Sequence, residues 1–370
     1  MELLRHIKDL VNFMQLPKER RKLVFYSEGK NYWPHLEALV KTLLYTSNNH
    51  ICYISSGEDD PGLLLEHKNL HAFKTDEGFV RNWLFENIET DVMIMTMPDL
   101  NQFQVKRSKH KVHYIYVQHS LVSLHMIYRK GAFDHYDTIF CAGPHHIKEI
   151  RAMELKYQLP AKNLVEHGYA RLDDLIKKSC IRGKCNKKKN DPQHILIAPS
   201  WSDKGTIESG IGEKIIGILI LNGFKITLRP HPQTIKLAKN QIDKILQKYS
   251  NYELFNYEDN VAGQDSLHDS DIMISDWSGV AFEYAYALRK PVIFIDIPKK
   301  INNINYEEIG IQPLEIRERE TLGCILKLDN IEDITLIIKR LHLDISKISV
   351  FNQGSSATFG AKKIEEILNG

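Results

Sequence analysis

Short apolar runs recur along the first half of the chain, each followed by polar or glycine-containing sequence. They are rich in β-branched and aromatic side chains, which is typical of buried β-strands. Helical periodicity falls between them, for example over residues 35–45, and this alternation of strands and helices predicts a parallel, doubly wound sheet. The predicted strands are Lys22–Ser27, His50–Ser55, Val92–Thr96, Val112–Gln118 and Thr138–Cys141.

A second alternating series follows a basic and polar stretch at residues 177–191. It predicts strands at His194–Ala198, Lys225–Leu228, Asp271–Ser275 and Pro291–Asp296, with a helix over Gly279–Leu288. Two such series predict an α/β protein of the GT-B-like class, in which two Rossmann-like domains with parallel sheets face a central cleft.

The predicted division of the chain follows these patterns. Residues 1–180 form an N-terminal Rossmann-like domain, 181–192 a basic linker, and 193–345 a C-terminal Rossmann-like domain. Residues 346–370 form a helical segment, with a helix over Ser356–Leu368 that we expect to cross back onto the N-terminal domain.

Composition narrows the classes of function. Of the 370 residues, 49 are lysine or arginine and 47 are acidic, so a net charge of +2 gives no general attraction to nucleic acid. The longest apolar run, Ile215–Leu221, is far shorter than the roughly 20 residues that span a bilayer, and the N-terminus lacks a signal-peptide core. We therefore expect a cytoplasmic protein, and five scattered cysteines without CxxC spacing predict neither a disulfide framework nor a zinc site.

The segment SDWSG at residues 275–279 lies between an apolar strand and a helix. Free amides at a helix start attract phosphate, hydroxyl side chains can add hydrogen bonds, and a glycine allows close approach of the backbone. Simple capping of the helix is the alternative. The candidate anion-binding residues here are Ser275, Asp276, Ser278 and Gly279, with Glu283 one turn later as a candidate for sugar hydroxyls.

Two further strands of the second half end in polar residues. RPHP at residues 229–232 places Arg229 and His231 at the carboxyl edge of the sheet, where open α/β folds bind ligands. His231 could donate to a phosphate oxygen, or it could be bonded to backbone in a rigid turn; Arg229 could instead form a structural ion pair. Ser200 and Trp201 follow another strand, with a plain loop as the alternative.

In the first half, the strand VHYIYVQ leads into His119 and Ser120. A neutral imidazole there could take a proton from a hydroxyl, although the chain contains 17 histidines and position alone favours this one. The turn after the first strand, Glu28, Gly29 and Lys30, is a weaker candidate for binding an acceptor phosphate.

Taken in order, QHS (118–120), HGYARLDDL (167–175), ILIAPSW (195–201), RPHP (229–232) and ISDWSGVAFEYAYALRKPVIFID (274–296) resemble the CDP-glycerol glycerophosphotransferase family of teichoic acid primases and polymerases. The resemblance implies transfer of glycerol phosphate, or a related polyol phosphate, from CDP-glycerol to a hydroxyl of a cell-surface polymer precursor, with release of CMP. It implies His119 as the base, His231 at the pyrophosphate, and Ser275, Ser278 and Glu283 at phosphate and ribose. Ser120 and Ala170 stand where the family has glycine and proline, which suggests a divergent branch.

The expected partners are a CDP-polyol donor and a lipid-linked or polysaccharide acceptor, with no metal and no other cofactor. Two alternatives stay open: a nucleotide-sugar glycosyltransferase or epimerase that uses a UDP-sugar, and a noncatalytic nucleotide-binding partner in polymer assembly. Peripheral contact with the inner membrane face is a further expectation, and a solvated surface is its alternative. The basic residues that could make this contact are Lys18, Arg20, Arg21, Lys22, Lys187, Lys188 and Lys189.

Overall fold

The computed structural model of the chain describes residues 2–182, 191–260, 263–341 and 349–370. These residues form two compact units. The first comprises the described residues of Met1–Asp173, Asn302–Ile311 and Ser349–Gly370, and the second comprises those of Asp174–Ile301 and Gln312–Ile348. Lys187, Lys188 and Lys189 of the predicted linker lie outside the described residues.

The first unit contains a seven-stranded parallel sheet in the order β3-β2-β1-β4-β5-β6-β7. Its strands are β1 (Leu23–Ser27), β2 (Ile51–Ser55), β3 (Leu70–Lys74), β4 (Val92–Met95), β5 (His113–Val117), β6 (Thr138–Cys141) and β7 (Asn163–Glu166). Its helices are α1 (Glu2–Gln15), α2 (Trp33–Thr46), α3 (Phe79–Asn87), α4 (Leu124–Ile127), α5 (Pro144–Tyr157) and the start of α6 (Ala170–Arg182).

The second unit contains a six-stranded parallel sheet in the order β10-β9-β8-β11-β12-β13. Its strands are β8 (His194–Ile197), β9 (Lys225–Leu228), β10 (Phe255–Tyr257), β11 (Ile272–Ser275), β12 (Val292–Ile295) and β13 (Gly323–Leu326). Its helices are α7 (Ile211–Leu221), α8 (Pro232–Leu237), α9 (Lys239–Tyr249), α10 (Asp265–Asp269), α11 (Gly279–Leu288), α12 (Leu314–Arg317) and α13 (Ile334–Arg340); α14 (Ser356–Asn369) returns to the first unit.

Both faces of the first sheet are covered, as parallel sheets require. Along β1, Val24 and Tyr26 join one apolar cluster, while Leu23 and Phe25 join the other. The second cluster includes residues of α2 and Ala361 and Ile364 of α14, so the last helix helps to cover this face. The predicted fold class, two α/β domains each with a parallel sheet, is confirmed.

All nine predicted strands are present within one or two residues of their predicted ends. Four strands were not predicted: β3, β7, β10 and β13. Each of these lies at an edge of its sheet and is only partly buried, whereas the central strands are buried at nearly every position. An edge strand needs fewer apolar residues, so it lacks the run on which the prediction relied.

Candidate functional site

Each sheet has a point where the order of strands reverses, and polar residues gather there. In the first unit β1 and β4 lie side by side, and in the second β8 and β11 do so. The loops that leave such a pair run to opposite sides of the sheet and open a crevice at its carboxyl edge, which is the usual ligand site of open α/β sheets. The predicted residues of the two units lie at or next to these two crevices.

His119 follows β5 and is fixed by its neighbours. Its Nδ1 lies 2.9 Å from the carbonyl oxygen of Thr96, which follows β4. Because a carbonyl can only accept, Nδ1 carries the proton and donates it, and Nε2 is left with its lone pair. The hydroxyl of Tyr128 lies 3.1 Å from Nε2, and that of Tyr116 lies 3.1 Å from Nδ1.

Burial lowers the pKa of His119 from 6.5 to about 4, against a smaller opposing effect of the Thr96 carbonyl. The imidazole is therefore neutral at pH 7, which is the state that a proton acceptor needs. Aromatic rings surround it: Tyr32 lies 5.7 Å and His35 6.1 Å from it between ring centroids. Neither residue was predicted, because both lie in the loop and helix after β1, far from His119 in the sequence.

Glu28 and Gly29 form the turn after β1. The backbone N–H of Gly29 donates to Ser27 Oγ at 3.1 Å, and Gly29 has a φ of +137°, which favours glycine. A Cβ added to Gly57, in the neighbouring turn after β2, would lie only 2.5 Å from Gly29 Cα, so the two turns need this close approach. Glu28 Oε2 is buried and has no hydrogen-bond partner.

Burial raises the pKa of the Glu28 carboxyl to about 7, although Arg81 nearby opposes the shift. A carboxyl that titrates near neutrality can exchange a proton with a ligand, which keeps Glu28 a candidate for acceptor binding. Lys30 is exposed and forms an ion pair with Asp59. Ser120 is half-buried, and its Oγ accepts a long hydrogen bond of 3.4 Å from the N–H of Val122.

Asp276 connects the two loops of the crevice in the second unit. Its fully buried carboxylate accepts hydrogen bonds from the N–H of Ser200 at 2.7 Å, the N–H of Trp277 at 2.6 Å and the hydroxyl of Thr206 at 2.7 Å. Bonds to a charged acceptor contribute about 1.5–3 kcal/mol each, which offsets the cost of burying the charge. Asp276 thus fixes the loop after β8 to the loop after β11.

Other predicted residues of this loop differ in exposure. Ser275 is fully buried and donates to the carbonyl of Ala198 at 2.8 Å, whereas the buried hydroxyl of Ser200 has no partner. Ser278 is half-buried at the N-cap of α11, and its side chain makes no capping bond. Gly279 is also partly exposed, whereas Glu283 is buried on the same helix. Ser278 and Gly279 therefore offer an accessible helix start.

His231 forms the N-cap of α8. Its Nδ1 accepts from the N–H of Gln233 at 3.1 Å, so a neutral ring carries its proton on Nε2. Burial, assisted by the charge of Lys300, lowers the pKa of His231 to about 4. At pH 7 the ring therefore presents an N–H donor, and this donor suits a phosphate oxygen.

Arg229 lies deeper than its neighbour His231. Its guanidinium donates to Ser266 Oγ at 3.2 Å and to the carbonyl of Gly263 at 2.9 Å, and the residue is 4% exposed. These bonds tie the end of β9 to the segment that begins α10. Direct contact of Arg229 with a ligand stays a prediction, as does that of the buried Ser275 and Asp276.

Two charged residues of this crevice, Lys300 and Glu208, were not predicted from the sequence. Lys300 follows β12 and is half-buried; desolvation lowers its pKa, while Asp276 and Glu208 oppose the shift. Glu208 accepts from Thr234 Oγ1 at 2.5 Å, and its Oε2 is buried without a partner. Trp201 is half-buried and lines a groove with Glu208. The only sequence signal for Lys300 was a basic residue shortly after a buried strand.

Within residues 2–182, 191–260, 263–341 and 349–370, no group of three or more histidine, cysteine or acidic side chains could hold a metal ion. No helix of the same residues is long and apolar enough to cross a membrane. The chemistry that these two crevices offer is hydrogen bonding to anions and the uptake of a proton.

Solved structures of other proteins share this fold. The chain is 16% identical to the wall teichoic acid polymerase TagF, in a structure soaked with CDPG, with a TM-score of 0.57 over 100% of this chain and 94% of that one. It is 14% identical to S. aureus MnaA in complex with UDP, with a TM-score of 0.63 over 94% of this chain and 97% of that one. At these identities the likeness shows the fold alone, and it confirms the predicted GT-B-like class.

The curated relative GgaB, a minor teichoic acid biosynthesis protein of Bacillus subtilis (strain 168), is 26% identical over 183 residues. That match covers 42% of this chain and 18% of GgaB. The family described as CDP-glycerol:poly(glycerophosphate) glycerophosphotransferase matches residues 11–300. Because this match includes both crevices and most of the chain, the protein belongs to the CDP-glycerol:poly(glycerophosphate) glycerophosphotransferase family.

Proposed function

We propose that the protein transfers glycerol phosphate, or a related polyol phosphate, from CDP-glycerol to a hydroxyl of a cell-surface polysaccharide or teichoic-acid-like precursor. The observation that carries the proposal is the family match over residues 11–300, combined with a neutral His231 whose Nε2–H is free to meet a phosphate. In this reaction the acceptor oxygen attacks the phosphorus that bears the polyol. The bond from that phosphorus to the oxygen of CMP breaks, and CMP leaves.

In this proposal the second unit holds the donor. Phosphoryl transfer depends on positioning and on neutralising charge on the non-bridging oxygens. The Nε2–H of His231, the ammonium of Lys300 and the free amides at the start of α11 are suited to that task. A single donor of this kind contributes about 3–4 kcal/mol to transition-state stabilisation in other enzymes, so these groups could act without a metal or other cofactor.

The first unit supplies the base in this proposal. The lone pair on Nε2 of His119 takes the proton of the acceptor hydroxyl as the new oxygen–phosphorus bond forms. Its bond to the Thr96 carbonyl fixes the tautomer and would stabilise the imidazolium that results. Glu28, with its unpartnered buried oxygen, is suited to bind the acceptor.

We also propose that the protein works in the cytoplasm and meets the anionic inner face of the membrane through α1. Three of the basic residues that the sequence suggested have acidic partners: Lys18 and Arg21 pair with Glu89, and Lys22 with Asp91. By contrast, α1 exposes four apolar side chains beside the basic residues Arg5 and Lys8: Leu3 (54% exposed), Leu4 (72%), Ile7 (42%) and Val11 (45%). An apolar stripe beside basic residues is typical of helices that lie in a membrane surface.

The test of the function is an assay of nucleotide release by the purified protein. We expect CMP from CDP-glycerol in the presence of a lipid-linked or polysaccharide acceptor, and no release of nucleotide from UDP-sugars. Turnover of a UDP-sugar instead would favour the glycosyltransferase or epimerase alternative. Tight binding of CDP-glycerol without a product, whatever the acceptor, would favour a noncatalytic partner.

Two substitutions at His231 test the roles of its two ring nitrogens separately. His231→Asn retains an acceptor for the Gln233 N–H but removes the Nε2–H donor, and we expect kcat/KM to fall about 10²–10³-fold with unchanged thermal stability. His231→Gln places a donor near the position of Nε2 but loses the cap, so it should lose less activity and more stability. Equal activity of wild type and His231→Asn would contradict the donor role.

Cosedimentation with vesicles tests the membrane contact. The protein should bind phosphatidylglycerol vesicles better than phosphatidylcholine vesicles, and 0.5 M salt (about a 4 Å screening length) should weaken the binding. The variant Leu3→Gln/Leu4→Gln should lose most of the binding. A matched control is Leu155→Gln on α5, because Leu155 is 84% exposed and lies outside the stripe. Unchanged binding of the α1 variant would contradict the assignment.

A further inference from the structure

The nitrogen that the proposed reaction needs is already occupied. Nε2 of His119 carries a lone pair, because Nδ1 donates its proton to the Thr96 carbonyl. The hydroxyl of Tyr128 lies 3.1 Å from Nε2 and can only be the donor in this pair. The phenol O–H therefore stands where the O–H of an acceptor would have to stand.

The position of Tyr128 is set by Asn302 and Asn303, which are distant from it in the sequence. Tyr128 directly follows α4. The backbone N–H groups of Asn302 and Asn303 both donate to the carbonyl of Met126, at 3.1 and 3.2 Å. The Asn302 side chain donates to the carbonyl of Ile127 at 2.7 Å, so the turn that carries Tyr128 is held in place.

Ring contacts orient the side chain as well. The ring of Tyr128 packs edge-on against Phe133, with 5.0 Å between centroids, and against His119 at 5.8 Å. The residue is nevertheless half-buried and follows a helix of four residues. Displacement of the phenol from His119 therefore requires rotation of the Tyr128 side chain and no movement of the sheet.

We propose that Tyr128 is a positioning residue that caps His119 until an acceptor hydroxyl replaces its own, and that this cap protects the donor from water. The inference rests on the proposed function. Without a cap, water could give its proton to Nε2 and attack the phosphorus that bears the polyol. The bond from that phosphorus to the oxygen of CMP would break, and CDP-glycerol and water would become CMP and glycerol phosphate.

The Tyr128 phenol can exclude water and still admit the acceptor, because water and the acceptor compete with it for Nε2 in different ways. A tethered, oriented group can have an effective concentration of about 10⁵ M or more, against about 55 M for bulk water, so the phenol wins over water. An acceptor brings binding energy from the rest of its chain, and it can use that energy to displace Tyr128. One O–H donor then replaces another at Nε2.

The experiment is the variant Tyr128→Phe, assayed for CMP release from CDP-glycerol without and with acceptor. We expect hydrolysis without acceptor to rise at least 10-fold, while transfer at saturating acceptor stays within about 3-fold of wild type. Loss of a merely structural contact would not increase hydrolysis. The double variant Tyr128→Phe/His119→Asn should lose this increase in hydrolysis, because asparagine retains a donor for the Thr96 carbonyl but lacks Nε2.

Tyr136→Phe is the matched control. It also removes one hydroxyl from this aromatic cluster, in which the rings of Tyr136 and Tyr116 lie 5.2 Å apart between centroids, but that hydroxyl donates to the carbonyl of Met97. The ratio of hydrolysis to transfer should therefore stay unchanged. Suppose that the wild type transfers glycerol phosphate but Tyr128→Phe hydrolyses CDP-glycerol no faster, or that this variant is folded but cannot transfer. Either result would show that Tyr128 does not cap His119, and the proposed function would stand. A wild-type protein that releases no CMP under either condition overturns both.

Discussion

Parallel pairing of the strands is the constraint on which both units depend. Every strand of a parallel sheet must be reached by a crossover on one face, so helices cover both faces and all strands end at the same edge. Where the strand order reverses, between β1 and β4 and between β8 and β11, no crossover fills the space between the loops. Glu28 and His119 lie near the first of these points and Ser278 and His231 near the second, although the members of each pair are far apart in the sequence.

The buried carboxylate of Asp276 shows how such an edge is kept rigid. It accepts three hydrogen bonds from two loops, and Ser275 adds a bond back to Ala198. Side chains used in this way hold the start of α11 and the loop after β8 in fixed positions, so they serve a ligand site without contacting the ligand. Preorganised donors of this kind cost no rearrangement when charge develops.

The sequence predicted the central strands and the strand ends that carry chemistry, because fully buried strands need continuous apolar runs. It could not predict β3, β7, β10 and β13, whose partial burial leaves no such run. Of the site, it predicted His119 and His231 from their places at strand ends. Tyr128 and Lys300 were missed because their roles depend on tertiary contacts: the first lies on a turn held by Asn302 and Asn303, and the second is marked only by its neighbours Asp276 and His231.

The central claim is that the donor pyrophosphate lies at the reversal point of the second sheet. A crystal structure of the protein with CDP-glycerol tests this claim most directly. We predict that the pyrophosphate lies within hydrogen-bond distance of His231 Nε2 and of the amides at the start of α11, with the Lys300 ammonium beside it. A nucleotide bound elsewhere, without contact to residues 229–232 and 275–279, would contradict it.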